Sequence, residues 1–190
     1  MDILINTEIL ISTLQNVISV IDKSYSKPIL SNFMIKTLEN EGGQGMVEFS
    51  ATDYELSIIE RIPAEITTSG SICINAKRVF DIAREFQAKE TRILSTEQLW
   101  VHISCGASEL RLPSVEVGLY PQPNIEELKQ NLKISTVDLA QCIDMTLFAS
   151  QTNEARRNLM GVALSITDEQ KTRWQATDAV SYTHLRAHET

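Results

Sequence analysis

The residues that could make or break bonds are few, and their spacing argues against a catalytic centre. Asp53 and Glu55 could pair two carboxylates for general acid–base work. Two positions apart, in a break between apolar runs, they read instead as exposed turn acids. His102 and Cys105 could supply a base and a nucleophile. They lie three apart in an alternating strand pattern, however, and so face opposite sides of a sheet. His184 and His188 have the i,i+4 spacing of helical metal ligands but are set aside with the terminal segment that carries them, for the reason given below. No P-loop, GxSxG, HExxH or dinucleotide fingerprint is present. The three cysteines, Cys73, Cys105 and Cys142, are odd in number and widely spread, with no CxxC pair. That pattern argues against a disulfide framework or a zinc site and fits a reducing cytoplasm.

Composition narrows the class further. The chain has 190 residues, 43% of them apolar and 22% charged, which is ordinary globular usage and excludes disorder as its main state. Its apolar runs are a few residues long, too short for a membrane span. Met1-Asp2-Ile3-Leu4 lacks the basic start of a secretory signal. A formal net charge of −8 disfavours a protein that grips nucleic acid with its whole surface.

The elements that would position functional residues repeat. Ile3-Leu4-Ile5-Asn6 leads into an amphipathic run from Thr7 to Ile21, and Ile72-Cys73-Ile74-Asn75 leads into Ala76 to Phe86. Leu132-Lys133-Ile134-Ser135 leads into Thr136 to Phe148. Each copy predicts a short strand, Asn or Ser at the helix N-cap, then an apolar stripe. The stripes are Leu10, Leu14, Val17, Ile18 and Ile21; then Val79, Phe80, Ala83 and Phe86; then Ala140, Ile143, Leu147 and Phe148. Strands are predicted at Phe33 to Leu38, Met46 to Thr52 and Leu56 to Ile62, then at Thr91 to Ser95, Leu99 to Cys105 and Ser108 to Leu112. The first domain therefore reads β-α-βββ twice over, an α+β fold with antiparallel sheet. Pro121-Gln122-Pro123 and the charged Glu126 to Lys129 read as a linker, with a second copy beginning near Asn131. That copy repeats Ser50-Ala51-Thr52-Asp53 as Gln175-Ala176-Thr177-Asp178, and Pro28 to Asn32 as Arg157 to Gly161.

These residues carry a family resemblance. Lys27-Pro28-Ile29-Leu30-Ser31-Asn32, Ala51-Thr52-Asp53, Asn75-Ala76-Lys77-Arg78-Val79-Phe80-Asp81-Ile82, Leu119-Tyr120-Pro121 and Trp174-Gln175-Ala176-Thr177-Asp178 stand in the order and spacing of the bacterial sliding-clamp family, the beta subunit of DNA polymerase III. The resemblance runs from residue 1 to about 179 and covers the family's N-terminal half. It implies the DNA clamp (processivity) fold, with repeated β-α-βββ units, antiparallel sheets outside and helices inside. Domains are expected at 1–122 (N-terminal) and 123–179 (middle, truncated). Family members continue Ala-Thr-Asp with Gly or Ala and then His-Arg-Leu. Here Ala179 is followed by Val180 to Thr190, which reads as translated adapter sequence at a broken gene end and is set aside from fold expectations.

The same resemblance implies a non-catalytic, cytoplasmic subunit of the polymerase holoenzyme, without cofactor or membrane association. Its three-domain subunits close head to tail into a dimeric ring around double-stranded DNA. Sequence-independent phosphate contacts suit a ring that must slide. Residues expected to face DNA are Lys23, Ser24 and Lys27 after the first helix; Lys77, Arg78 and Arg84 on the second; and Gln151, Asn153, Arg156, Arg157 and Asn158 in the equivalent loop of the second domain. Ser24 stands where many relatives carry a basic residue, and Arg157-Asn158 where some carry two tyrosines. Arg78, Ile82, Leu110 and Leu112 match the dimer interface. Leu159 and Thr177 match part of the cleft that takes short peptide motifs from the polymerase III catalytic subunit, other polymerases and the clamp loader. Two further readings remain open at this point: a small α+β module that binds a peptide or ligand without encircling DNA, and a hydrolase with its site at the domain junction.

Overall fold

The computed structural model describes residues 1–21, 27–38, 45–96, 99–122, 133–152, 154–167, 171–179 and 182–187; for 154, 155 and 182–187 only the backbone is described. It divides into two compact units, Met1–Glu126 and Glu127–Thr190. The boundary falls four residues after the predicted one, in a stretch outside the described residues.

In the first unit, β1 (Asp2–Asn6) runs into helix α1 (Thr7–Val20). A 3-10 turn at Pro28–Ser31 leads to β2 (Asn32–Leu38), β3 (Met46–Thr52), β4 (Ser57–Pro63) and β5 (Glu65–Thr68). Strand β6 (Ser71–Asn75) then feeds helix α2 (Ala76–Ala83), followed by β7 (Glu90–Thr96), β8 (Trp100–Cys105) and β9 (Ser108–Val115). The strands form one antiparallel sheet in the order β4-β3-β2-β6-β9-β8-β7-β1-β5. Among the described residues, the ladder that joins its two halves is the one in which Cys73 and Ile74 of β6 oppose Val115 and Ser114 of β9.

Both expected helix starts are capped as the sequence requires. The Asn6 side chain accepts from the amides of Glu8 (3.0 Å) and Ile9 (3.2 Å), and Asn75 accepts from Arg78 (3.0 Å). Replacing Asn6 with Ala should cost about 1 kcal/mol. Faster amide exchange confined to the first turn of α1 would show it, and unchanged exchange there would contradict it. The α1 stripe closes as expected: Leu10, Leu14 and Val17 are buried, and Ile18 and Ile21 pack partly buried against the same core. So does that of α2, through Val79, Ala83, Phe80 and Phe86. The two helices touch each other, with α1 also on β1, β3 and β4 and α2 on β2 and β6. On the sheet beneath them lie Phe33 of β2 and Phe49 of β3, both fully buried, with rings stacked at 5.8 Å.

A second, smaller core fixes the end of the unit. Tyr120, which follows a 3-10 turn at Val117–Leu119, packs on Met34 and Cys73. Its hydroxyl donates to the carbonyl of Asn32 (3.1 Å) and accepts from the amide of Thr52 (3.2 Å). The Leu119-Tyr120-Pro121 motif thus straps the start of the linker to β2 and β3.

The second unit holds helix α3 (Thr136–Leu147), a 3-10 segment at Glu154–Leu159, and a three-stranded antiparallel sheet of β10 (Ala163–Ile166), β11 (Thr172–Thr177) and β12 (Tyr182–Ala187). Three sequence expectations need correction here. Lys133–Ser135 is irregular rather than the end of a strand, and Ser135 caps α3 without a side-chain hydrogen bond. The α3 stripe does not close: Phe148 is 77% exposed, Leu147 47%, Ala140 is exposed and Ile143 half-buried, while Cys142, Thr146 and Ala149 are the buried residues. Helix α3 rests on β11 and β12, and among the described residues the unit has no second helix to cover its apolar side. Lastly, the terminal segment set aside on sequence grounds supplies β12, which pairs with β11 from Thr172↔Ala187 to Thr177↔Tyr182. An open strand edge presents unpaired backbone donors and acceptors, which an extended segment satisfies whatever its side chains.

Candidate functional site

Strand β8 places its two potentially reactive residues apart, as expected: His102 is exposed and Cys105 buried. Asp53 and Glu55 lie in a turn in which Asp53 Oδ1 accepts from the amides of Glu55 (2.9 Å) and Leu56 (2.6 Å), so one carboxylate serves the backbone. Burial pushes the thiol of Cys73 up to about 12, which leaves it protonated and unreactive at neutral pH. Among the described residues no cluster of three metal-ligating side chains occurs.

The surface expected to meet DNA is built from helix ends and loops. Lys77 and Arg78 occupy the first turn of α2, both exposed and, among the described residues, without an ion pair. Because Asn75 caps that turn, the Arg78 backbone is fixed while its side chain stays free. Arg84 closes the same helix, 3.7 Å from Asp81 and with its guanidinium 5.2 Å from the Phe80 ring centroid. Its charge is therefore partly offset, unlike that of Lys77 and Arg78. Lys27 precedes the 3-10 turn after α1, and its Nζ stands 4.4 Å from the ring centroid of Tyr54. Lys23, Ser24 and Asn153 lie outside the described residues.

The exposed face of α1 adds what charge counting passes over. Ser12, Gln15, Asn16 and Ser19 are exposed at helical spacing and uncharged, with the exposed carboxylate of Glu8 on the same face. Glu60 of β4 braces that face, accepting from Thr13 Oγ1 (2.9 Å) and Asn16 Nδ2 (3.1 Å). The i,i+4 recurrence of short polar residues opposite the Leu10-Leu14-Val17 stripe was the available signal.

In the second unit, Arg156, Arg157 and Asn158 are exposed on the 3-10 segment, whose helical course breaks at Arg156 (φ −126°, ψ 59°). Gln151 ties this segment to the sheet. Its amide donates to the Leu159 carbonyl (2.9 Å), and its Nε2 donates to the Asp178 carbonyl (3.3 Å). The expected peptide-cleft residues Leu159 and Thr177, both half-buried, are thus gathered beside a residue expected to face DNA. Met160, 40% exposed, adjoins them and was not singled out from sequence.

The four expected interface residues divide. Arg78 is exposed and Ile82 half-buried on α2, and Leu110, half-buried on β9, packs against the edge of the core. Leu112 is 7% exposed and belongs to the core, because it points inward beside Val101 of β8. Among the described residues, the β9 stretch Ser108–Pro113 pairs with β8 alone, and the second β9 pairing, with β6, involves Ser114 and Val115.

Capped helices on a continuous antiparallel sheet, with a second unit in the same chain, are the α+β arrangement expected from the sequence, and comparison with known proteins assigns it to the sliding-clamp fold. The chain superposes on the Caulobacter crescentus polymerase III beta structure with a TM-score of 0.88 at 28% identity, covering 100% of this chain and 50% of that one. It matches the beta subunit from Streptococcus pyogenes DNA polymerase at 0.89 and 25% identity, with the same coverage. A sliding clamp from Bartonella birtlesii, solved bound to griselimycin, matches at 0.86 and 26% identity, covering 100% of this chain and 50% of that one. In sequence, the beta sliding clamp of Caulobacter vibrioides is 31% identical over 183 residues, 94% of this chain and 48% of the relative. Residues 1–126 match the family model described as DNA polymerase III beta subunit, N-terminal domain. The chain belongs to the DNA polymerase III beta subunit family. It spans about half the length of the curated relatives it matches.

Proposed function

We propose that this chain carries the N-terminal and part of the middle domain of a processivity clamp, which encircles duplex DNA as a head-to-tail dimer and tethers polymerases to it. The observation that carries this reading is the match to half of a clamp subunit, over 94% of the chain in sequence and all of it in fold. The clamp itself performs no chemistry; it acts by topology, in the cytoplasm. The exposed cations Lys77, Arg78 and Arg157 sit on a chain of net charge −8. A ring prevented from leaving its track needs only weak, interchangeable phosphate contacts, and stronger ones would slow sliding. The proposed partners are double-stranded DNA and, through short peptide motifs bound near Leu159 and Thr177, the polymerase III catalytic subunit, other polymerases and the clamp loader. The remaining half of such a subunit would supply the rest of that cleft and the surface that meets Arg78, Ile82 and Leu110.

Neutralising Lys77, Arg78 and Arg157 together in a subunit of full family length should weaken retention on DNA. It should also reduce the magnitude of the log–log salt slope by about 0.9 for each phosphate these cations no longer neutralise. Salt titration of DNA binding checks this, and an unchanged slope would place these charges away from the DNA.

A further inference from the structure

The turn between β3 and β4 holds a strained aromatic residue that packs little. Tyr54 has φ of 79°, in the left-handed region that non-glycine residues enter at a cost. It is also 57% exposed, so burial does not offset the strain. The conformation is nevertheless firmly held. Besides the two amides that Asp53 Oδ1 accepts, the Tyr54 amide donates to Thr52 Oγ1 (3.1 Å) and the Asp53 amide to the Leu56 carbonyl (3.1 Å). Thr52 Oγ1 donates to the same carbonyl (3.0 Å), and the Thr52 amide donates to the buried Tyr120 hydroxyl. This rigid bracket brings the Tyr54 ring beneath the Lys27 ammonium, 4.4 Å from its centroid.

We propose that Tyr54 is a positioning residue for Lys27, holding its ammonium over the ring where a DNA phosphate can reach it. The proposal rests on the reading of Lys27 as DNA-facing. A carboxylate partner would fix the lysine but cancel its charge. An aromatic face fixes it through the ring quadrupole and leaves the full charge, with N–H donors still directed outward. At an exposed site such a contact is worth about two- to fivefold in an equilibrium, weak enough to coexist with a phosphate that changes at each step along the duplex.

The test uses the 190-residue chain, with nuclear magnetic resonance of the Lys27 side chain and a short blunt duplex at low ionic strength as probe. Without DNA, the Lys27 ε-methylene protons should show an upfield ring-current shift that Tyr54→Phe keeps and Tyr54→Leu abolishes, with the amide spectrum showing both variants folded. On titration with duplex, Tyr54→Leu should weaken the apparent affinity about two- to fivefold, and Tyr54→Phe should match the parent. In a Lys27→Gln background, Tyr54→Leu should have no further effect. A ring-current shift insensitive to Tyr54→Leu, equal affinities for parent and Tyr54→Leu, or a Tyr54→Leu effect that persists without Lys27 would each overturn the proposal. If the duplex perturbs neither the Lys27 nor the Arg78 region of the parent, the DNA-facing reading itself fails and the proposal falls with it. DNA contact that ignores Tyr54 refutes the positioning role alone.

Discussion

Phe49→Ala should destabilise the first unit by about 3–5 kcal/mol, the largest effect expected of a single substitution in this chain. Phe49 sits on β3 with its side chain fully buried and its ring stacked on Phe33, under helix α1. Truncation removes the transfer free energy of the ring and leaves a cavity between sheet and helix. The neighbours that would have to collapse into it are held by the β2–β3 and β3–β4 ladders. Because the chain has two units, a single global transition is the wrong observable. Amide exchange in β2 and β3 reports the first unit alone, and rates there should rise by the corresponding factor of about 10² or more. A change of less than tenfold would mean that this core is not what holds α1 to the sheet.

Tyr120→Phe should cost about 1–3 kcal/mol at neutral pH, since it strands a buried amide on Thr52 and removes a donor from the Asn32 carbonyl. It should also change the alkaline limb of the stability curve. Burial pushes the Tyr120 phenol up to about 12 from its ordinary 10.0, against the lowering effect of the Thr52 amide, and burial lifts the neighbouring Cys73 thiol to about 12 from 9.0. Both groups are acids whose protonated form the fold favours. Their contribution is fully present below the unfolded-state values and is lost as pH rises from about 9 through 12. The parent should therefore weaken across that window, and Tyr120→Phe should decline less steeply above pH 10, having lost the tyrosine share. Amide exchange of β2 and β3, corrected for the intrinsic pH dependence of exchange, would check both parts. Parallel alkaline limbs would show that the hydroxyl is not shielded as described.

Much of the first unit was legible because local and long-range signals coincide there. Asn6 and Asn75 cap helices whose stripes find a core, and the alternation in Trp100 to Cys105 finds a buried face. Strand β5 was missed: Glu65-Ile66-Thr67-Thr68 has one apolar residue, and it is a strand because β1 offers it an edge, which is a tertiary fact. Strand β9 runs on to Val115 through Pro113, a residue whose missing N–H made the strand look finished at Leu112. The α3 stripe failed for the opposite reason. Helical period shows which residues share a face but not whether anything lies against it, and here Cys142, Thr146 and Ala149 face the available sheet. Among site residues, the cations could be picked out by type, whereas the Tyr54 ring could not, because its role follows from a positive φ and from a lysine 27 positions earlier in the chain.

The measurement closest to the central claim uses a subunit continued to the full length of its relatives and loaded by a clamp loader onto nicked circular DNA. Sliding-clamp function predicts that the protein stays on the circle through gel filtration and is lost once the circle is cut to a linear molecule. Equal retention on circular and linear DNA would mean that the protein grips rather than encircles, and would contradict the account.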